Sequence, residues 1–275
     1  MPSASPSHIL VLNKFPVIAN HFILATKANK PQTHALEEID LAATYACLKA
    51  WEDTGADRGR LFAFFNSGDH SGASQPHRHL QFLPIDSMRN GEQSKGWNVL
   101  VDSILSDGAS GNHAAMIASN TRLSIAIDAS SDVIQHPALP FTHFAYRFET
   151  EPSEAELSQI YNRLYQLAKQ AVDSFISSSP DQLTLHDASE GNLPISYNLA
   201  MTTVGMAIVP RRSEGYQLRR DDGSEIGFVQ LNGTLLGGTF MVKFQEEWDV
   251  LQQEPTKLDA VLEAIGIPKT PTNKL

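Results

Sequence analysis

Ser74-Gln75-Pro76-His77-Arg78-His79-Leu80-Gln81-Phe82-Leu83 is the stretch whose reading decides the fold. His77, His79 and Gln81 stand at i, i+2 and i+4. In an extended strand that spacing places all three on one face, because successive side chains alternate. Arg78, Leu80 and Phe82 then point to the other. Three hydrogen-bonding, nitrogen-bearing side chains in a row make a poor core face and a good reaction surface. Immediately upstream, Asn66-Ser67-Gly68-Asp69-His70-Ser71-Gly72-Ala73 is small, polar and glycine-bearing. That is the composition of a loop whose backbone N–H groups cradle phosphate.

Working outward, Arg60 to Asn66 reads as a short buried strand, so strand, loop and histidine strand predict an antiparallel neighbour pair with the loop at one end of the sheet. His8 to Leu12 and His21 to Thr26 are apolar and β-prone, flanking the turn-like Asn13-Lys14-Phe15-Pro16. Thr33 is placed to cap a helix running to about Asp53, with Leu41, Tyr45 and Leu48 as its buried stripe. Trp97 to Leu105 carries helical spacing, followed by a Gly/Ser-rich tip over Ser106 to His113. Arg122 to Ile127 and Phe141 to Phe148 read as strands. Ser153-Glu154-Ala155-Glu156 is a capping box that opens a long helix, with Leu157, Ile160, Leu164, Leu167, Ala171 and Phe175 on one side. Tyr197 to Met201, Gly205 to Val209 and Phe240 to Lys243 read as strands, and Thr256 to Ile265 as a terminal helix before Gly266 and Pro268. Strands mixed with a few long helices, without strict βαβ alternation, predict an α+β fold.

The chain has 275 residues, 41% hydrophobic and 19% charged, enough to bury a full core. Its formal net charge of −10 argues against nucleic acid or an anionic membrane as partner. A small anionic substrate needs only a few local donors. Cys47, the single cysteine, can form no internal disulfide, which fits a reducing compartment. The longest apolar runs are too short to span a bilayer, and Met1 to His8 carries neither a cationic region nor an apolar one, so no signal peptide is read there.

The residues alone leave three readings of His77, His79 and Gln81 open. One is a nucleophilic imidazole that attacks phosphorus and splits a hard transfer into two easier ones. It needs one ring nitrogen free and the other tied to an acceptor. The second is a metal pair, for which Gln81 is a poor third ligand and no carboxylate has suitable spacing. The third is two strand histidines without a chemical role.

His-x-His-x-Gln resembles the histidine-triad and galactose-1-phosphate uridylyltransferase group. Asn13-Lys14-Phe15-Pro16, His21 to Lys27, Phe64 to Gly68 and Ser71 to Gln81 are similar to the fungal-type diadenosine tetraphosphate phosphorylases, also called ATP adenylyltransferases. So, in the same order, are Leu139 to Phe144, Ser196 to Leu199, Val209-Pro210-Arg211 and Leu231 to Lys243. The resemblance implies a histidine-triad-like antiparallel sheet with flanking helices. Two sequence halves, 8–130 and 131–267, would pack into one catalytic unit between flexible ends 1–7 and 268–275. It implies cleavage of diadenosine tetraphosphate by phosphate to ADP and ATP through an AMP-histidine intermediate.

Carried over by position, His79 is the nucleophile, and His77 and Gln81 orient it and hold the α-phosphoryl group. Asn66, Ser67 and Gly68 line the ribose and α-phosphate side. Ser71, Gly72, Ala73, Ser74 and Gln75 hold the distal phosphates, with Lys27 as the fixed cation. Lys14, Asn198 and Arg211 carry weaker signals, and His21 and His143, inside apolar strands, read as structural. The implied cofactor is a divalent cation, Mg²⁺, carried by the polyphosphate, with no protein metal site and no organic cofactor. The implied partners are nucleotide and phosphate, with a monomer or small homo-oligomer in the cytoplasm or also the nucleus. A hexose-1-phosphate uridylyltransferase-like enzyme and a non-catalytic dinucleoside polyphosphate binder are the competing functions.

Overall fold

The computed structural model describes residues 6–53, 59–89, 96–106 and 132–269. Its centre is one seven-stranded antiparallel sheet to which both halves of the chain contribute. The strands are β1 (His8–Leu12), β2 (Phe22–Thr26), β3 (Leu61–Ser67), β4 (His79–Pro84), β5 (Phe144–Arg147), β6 (Ser196–Thr202) and β7 (Gly205–Arg211), in the order β1-β2-β4-β3-β6-β7-β5. The halves meet where β3 pairs with β6, in a register that sets Asn66 opposite Asn198. A separate hairpin joins β8 (Gly215–Arg219) to β9 (Glu225–Gln230). The α+β expectation holds.

Alternation along the strands gives the sheet two different faces. Leu24, Phe65, Leu80, Phe82, Tyr197 and Leu199 lie on one. Two helices cover it, α1 (Glu38–Asp53) through Leu41, Tyr45 and Leu48, and α4 (Glu154–Ser178) through Leu157, Tyr161, Leu164, Ala168 and Val172. The Ser153 capping box forms, with Ser153 Oγ accepting from Glu156 N and Glu156 Oε2 accepting from Ser153 N. The deepest stripe of α4 is turned by one residue from the expected one: Tyr161 and Ala168 are fully buried, while Ile160, Leu167 and Ala171 are only partly so. Tyr161 belongs there because its hydroxyl finds partners in Tyr197 Oη and the Leu36 amide.

The second face carries Phe62, Phe64, Leu83, Ala200, Ala207 and Val209. It is covered by the hairpin, by a helix at residues 100–106 (α3) after the four-residue α2 (Ile85–Met88), and by α6 (Pro255–Ile265), which follows α5 (Gln245–Gln253). Over β2 and β4 this covering stops. Ile23, Ala25 and Gln81 stay only half-buried there, and that is the face on which His79 and Gln81 stand.

Several expectations are corrected. The helix after Thr33 starts at Glu38; Thr33 Oγ1 instead donates to Asn192 Oδ1 at 2.5 Å, while Asp40 Oδ2 accepts from Glu37 N at 2.8 Å at the true helix start. Regular strand begins only at His79, because Pro76 to Arg78 pair with residues 30–32 rather than with β3. Phe141 to His143 lie outside β5, with Phe141 bridging to Pro268. Phe240 to Lys243 are irregular; the strands of that region are β8 and β9, and α5 follows. The strand expected at Arg122 to Ile127, and most of the tip over Ser106 to His113, lie outside the described residues. Among the described residues no helix is long and apolar enough to cross a membrane.

Arg78, between the two histidines, points away from the open face and is buried to 1% exposure. Its guanidinium donates to Asp40 Oδ2 at 2.7 Å and Glu37 Oε1 at 3.0 Å, and His8 Nε2 meets Asp40 Oδ1 at 2.8 Å. Removing one member of such a pair strands the other charge in a low dielectric. Asp40→Ala is therefore expected to cost about 3 kcal/mol, the remaining Glu37 contact limiting the loss. Urea denaturation checks this, and an unchanged midpoint would show that the pair does not hold β4.

Candidate active site

The site is built from β4, the ends of β2 and β3, the segment from Asn13 to His21, the loop from Gly68 to Pro76, and residues 231–234. His79 is buried to 8% exposure. Its Nδ1 lies 2.8 Å from the carbonyl oxygen of His77. A carbonyl can only accept, so Nδ1 carries the proton and Nε2 the lone pair. The peptide that supplies that carbonyl also donates, through Arg78 N, to Lys30 O at 2.7 Å. Donating on one side makes the same peptide a better acceptor on the other. Burial lowers the pKa of His79, partly offset by the His77 carbonyl, and the neighbouring His77 ring lowers it further. The ring is therefore neutral at neutral pH.

His77 is less free than the spacing suggests. Its Nε2 lies 2.7 Å from Thr26 O and 3.1 Å from Thr26 Oγ1, which ties the ring to the end of β2. What His77 supplies to His79 is its carbonyl. Lys27, next to Thr26, is exposed at the same strand end. Gln81 lines a cavity of about 190 Å³ with Asn13, Phe15, His21, Phe64 and Asn232. His21 Nδ1 is 2.9 Å from Asn13 Nδ2. Its pKa is lowered by burial and by neighbouring His79, with Gln81 opposing. His21 thus sits in the site, whereas the sequence reads it as structural. His143 is structural: it accepts from His136 N at 2.8 Å and lies 3.0 Å from Phe141 O, and burial takes its pKa to about 4.

The loop is seated from beneath. Asn66 Oδ1 accepts from Asn198 Nδ2 at 2.9 Å and from Gly233 N at 2.8 Å. Asn198 Nδ2 also donates to Ser71 O at 2.9 Å, and Asn198 Oδ1 accepts from Arg211. Arg211, 1% exposed, donates further to the carbonyls of Ser213, Leu231 and Ile265 at 3.0, 3.0 and 3.3 Å. Burial lowers its pKa to about 9, with Glu214 opposing, so it remains a cation at neutral pH beneath the loop. Gly68 and Gly72 have φ of +83° and +74°. A Cβ at Gly68 would meet Ser196, and one at Gly72 would meet Leu231 O and Asn232 Cβ, both at 2.8 Å. Gly72 thus holds the loop against the Asn232 wall of the cavity.

The expected site residues accordingly divide. His79, Gln81 and Asn66 share a face of the sheet, with Gly72 and Asn232 against its edge. Ser71 is fully buried, its Oγ donating to Gly68 O at 2.6 Å. Ser74 and Gln75 are exposed, and Ala73 is half-buried. Ser67, next to Asn66 on β3, is fully buried on the opposite face of the sheet. Asn198 and Arg211, the weak signals, are the framework of the loop. Gln32 is missed entirely: a glutamine between Pro31 and Thr33 carries no pattern, yet its amide contacts both His79 and Asn66.

Comparison with known proteins gives the lineage. The family model for the Ap4A phosphorylase N-terminal domain matches residues 2–100, and that for the ATP adenylyltransferase C-terminal domain matches residues 137–268. Protein APA1 of Saccharomyces cerevisiae is 28% identical over 268 residues, which covers 96% of this chain and 70% of that protein. Diadenosine 5',5'''-P1,P4-tetraphosphate phosphorylase 2 of the same yeast is 26% identical over 271 residues, 96% of this chain and 71% of that protein. The crystal structure of yeast Ap4A phosphorylase Apa2 in complex with AMP superposes with a TM-score of 0.69 at 24% identity, covering 99% of this chain and 77% of the other. The Ap4A complex of the same yeast enzyme gives 0.65 at 23%, over 96% and 75%. With both domain models matched in order, the chain belongs to the Ap4A phosphorylase family of ATP adenylyltransferases.

Proposed function

We propose that this protein is a nucleotidyltransferase that cleaves diadenosine tetraphosphate with phosphate to ADP and ATP, by way of AMP bonded to His79. The observation that carries the reading is the Nδ1 contact of His79 with the His77 carbonyl, in a ring kept neutral by burial. It leaves Nε2 as a nucleophile of defined tautomer. Its supports from kinship are the family membership and the yeast relative named for diadenosine tetraphosphate phosphorolysis.

In the first step the Nε2 lone pair forms a bond to the α-phosphorus, and the bond from that phosphorus to the bridging oxygen breaks. ATP leaves with the electron pair. The ring then carries positive charge, which the His77 carbonyl stabilises through Nδ1–H. In the second step an oxygen of inorganic phosphate attacks the same phosphorus, the P–N bond breaks, and ADP forms with His79 neutral again. Gln81 faces the α-phosphoryl group. The cavity beside Gln81, with Phe15 and Phe64 in its wall, receives a nucleoside. Lys27, the loop residues Ala73 to Gln75 and the Arg211 charge beneath the loop favour the phosphate chain in an otherwise acidic protein. No group of three or more His, Cys, Asp or Glu able to hold a metal ion occurs among the described residues. A divalent cation would enter carried on the polyphosphate and would neutralise charge there.

Four outcomes test the reading. Product analysis with diadenosine tetraphosphate gives ADP plus ATP only when phosphate is added, and UDP-glucose is not consumed. His79→Ala abolishes turnover, and His79→Gly regains part of it with added imidazole; full activity in His79→Ala ends the proposal. The labelled adduct is labile in acid and stable in alkali, as a phosphoramidate is, and the opposite stability points to a carboxylate or hydroxyl. The pH dependence has a fixed sign. The reactive form is neutral and its pKa is lowered, so activity is retained as pH falls through the ordinary histidine value of about 6.5 and lost only below it. A kcat/KM profile with its acid limb above that value contradicts a buried neutral nucleophile.

A further inference from the structure

We infer that Gln32 is a positioning residue for the reacting imidazole, acting as a substitute rung of the sheet between β3 and β4. The inference rests on the reading of His79 as nucleophile and adds to it the group that holds its backbone. β3 and β4 pair through Leu61↔Pro84, Phe62↔Leu83, Ala63↔Phe82 and Phe64↔Gln81, and there the ladder stops. Beyond it Asn66 pairs with Asn198 of β6, and the two strands part at the level of His79. Parting strands leave backbone donors and acceptors unpaired, and a buried unpaired group is costly.

The side chain of Gln32, 2% exposed, fills that gap. Its Oε1 accepts from His79 N at 2.8 Å. Its Nε2 donates to Asn66 O at 2.8 Å and to His79 O at 3.2 Å. All three partners are backbone groups of fixed polarity, so the amide can sit only one way round. The main chain of the same segment completes the clamp. Gln32 N donates to Pro76 O and Arg78 N to Lys30 O, both at 2.7 Å, and Pro31 bridges to His77.

Residues 30–32 therefore hold both peptides that fix the imidazole. One is the His77–Arg78 peptide, whose carbonyl sets the tautomer. The other group is the His79 backbone, from which the ring projects. On its other edge His79 pairs with Ala25 of β2. Among the described residues it is the Gln32 amide that ties it to Asn66. The strands part beside the ring, and Gln32 keeps that gap from loosening its base. Small misplacement of a reacting group costs on the order of 100-fold in rate.

The test uses Gln32→Met, which keeps the length and loses every polar contact, and Gln32→Asn, which keeps the amide one methylene short. The expected result is a kcat lowered about 100-fold in Gln32→Met and about 10-fold in Gln32→Asn, with nucleotide affinity by calorimetry within about threefold of the parent. In ¹⁵N NMR, the His79 ring signals (assigned by their loss in His79→Ala) shift from a single Nδ1–H tautomer toward a mixture. A stability role alone lowers the melting temperature but leaves kcat per folded molecule and the ring signals unchanged; that result in the folded variant, Gln32→Asn if Gln32→Met does not fold, overturns the inference. The NMR measurement needs no turnover. An active His79→Ala therefore refutes the covalent mechanism, whereas unperturbed ring signals in the Gln32 variant refute the positioning role.

Discussion

The rest of the structure depends on one buried cation. Arg211 is enclosed, yet its guanidinium is bonded to the Asn198 side chain and to backbone carbonyls of residues that lie far apart along the chain. An unpaired charge in that position would be prohibitive; one whose donors all find acceptors cross-links the fold. Through Asn198 it reaches Asn66 and Ser71, the end of β3 and the start of the loop. The second half of the sequence thereby holds the loop of the first, and the two halves form one site because they share one polar network across the β3–β6 seam.

Around that network burial favours the neutral imidazole at His21 and His79. The protein is acidic overall, but the buried carboxylate Asp40 is on the far face of the sheet, bonded to Arg78 and His8. The open face carries imidazoles, amides and backbone N–H groups instead. Packing explains why that face is open. The covering by α3, α6 and the β8–β9 hairpin buries the faces of β3, β6 and β7 and Leu83 at the end of β4, whereas Ile23, Ala25 and Gln81 beside it stay only half-buried. A face that cannot support a core is left as a binding surface.

Much of this was legible in the chain. Period-two spacing placed His79 and Gln81 on one face and Leu80 and Phe82 in the core. The small-residue run before them read as a loop, and the Ser153 capping box announced α4. Other features had no local signature. Gln32 is a polar residue in a proline-containing turn. Arg211 beside Arg212 looks like a surface pair. His21 reads as core because its neighbours are apolar, and Ser67 looks like Asn66 although one residue of offset turns it to the other face. Phe240 to Lys243 have strand composition but are irregular and belong to neither sheet. The histidine strand is shorter than its pattern because Pro76 to Arg78 find partners in residues 30–32.

The sequence by itself determined which residues alternate, which are small enough for a tight loop, and which nitrogen-bearing side chains stand together. These are local properties, set by backbone geometry and side-chain chemistry over a few residues. Only the tertiary structure decided which His79 nitrogen holds the proton, that the His77 ring is tied to β2, and that Gln32 and Arg211 underlie the site. Those outcomes depend on which backbone groups are left unpaired when distant segments meet, and no stretch of sequence specifies that alone.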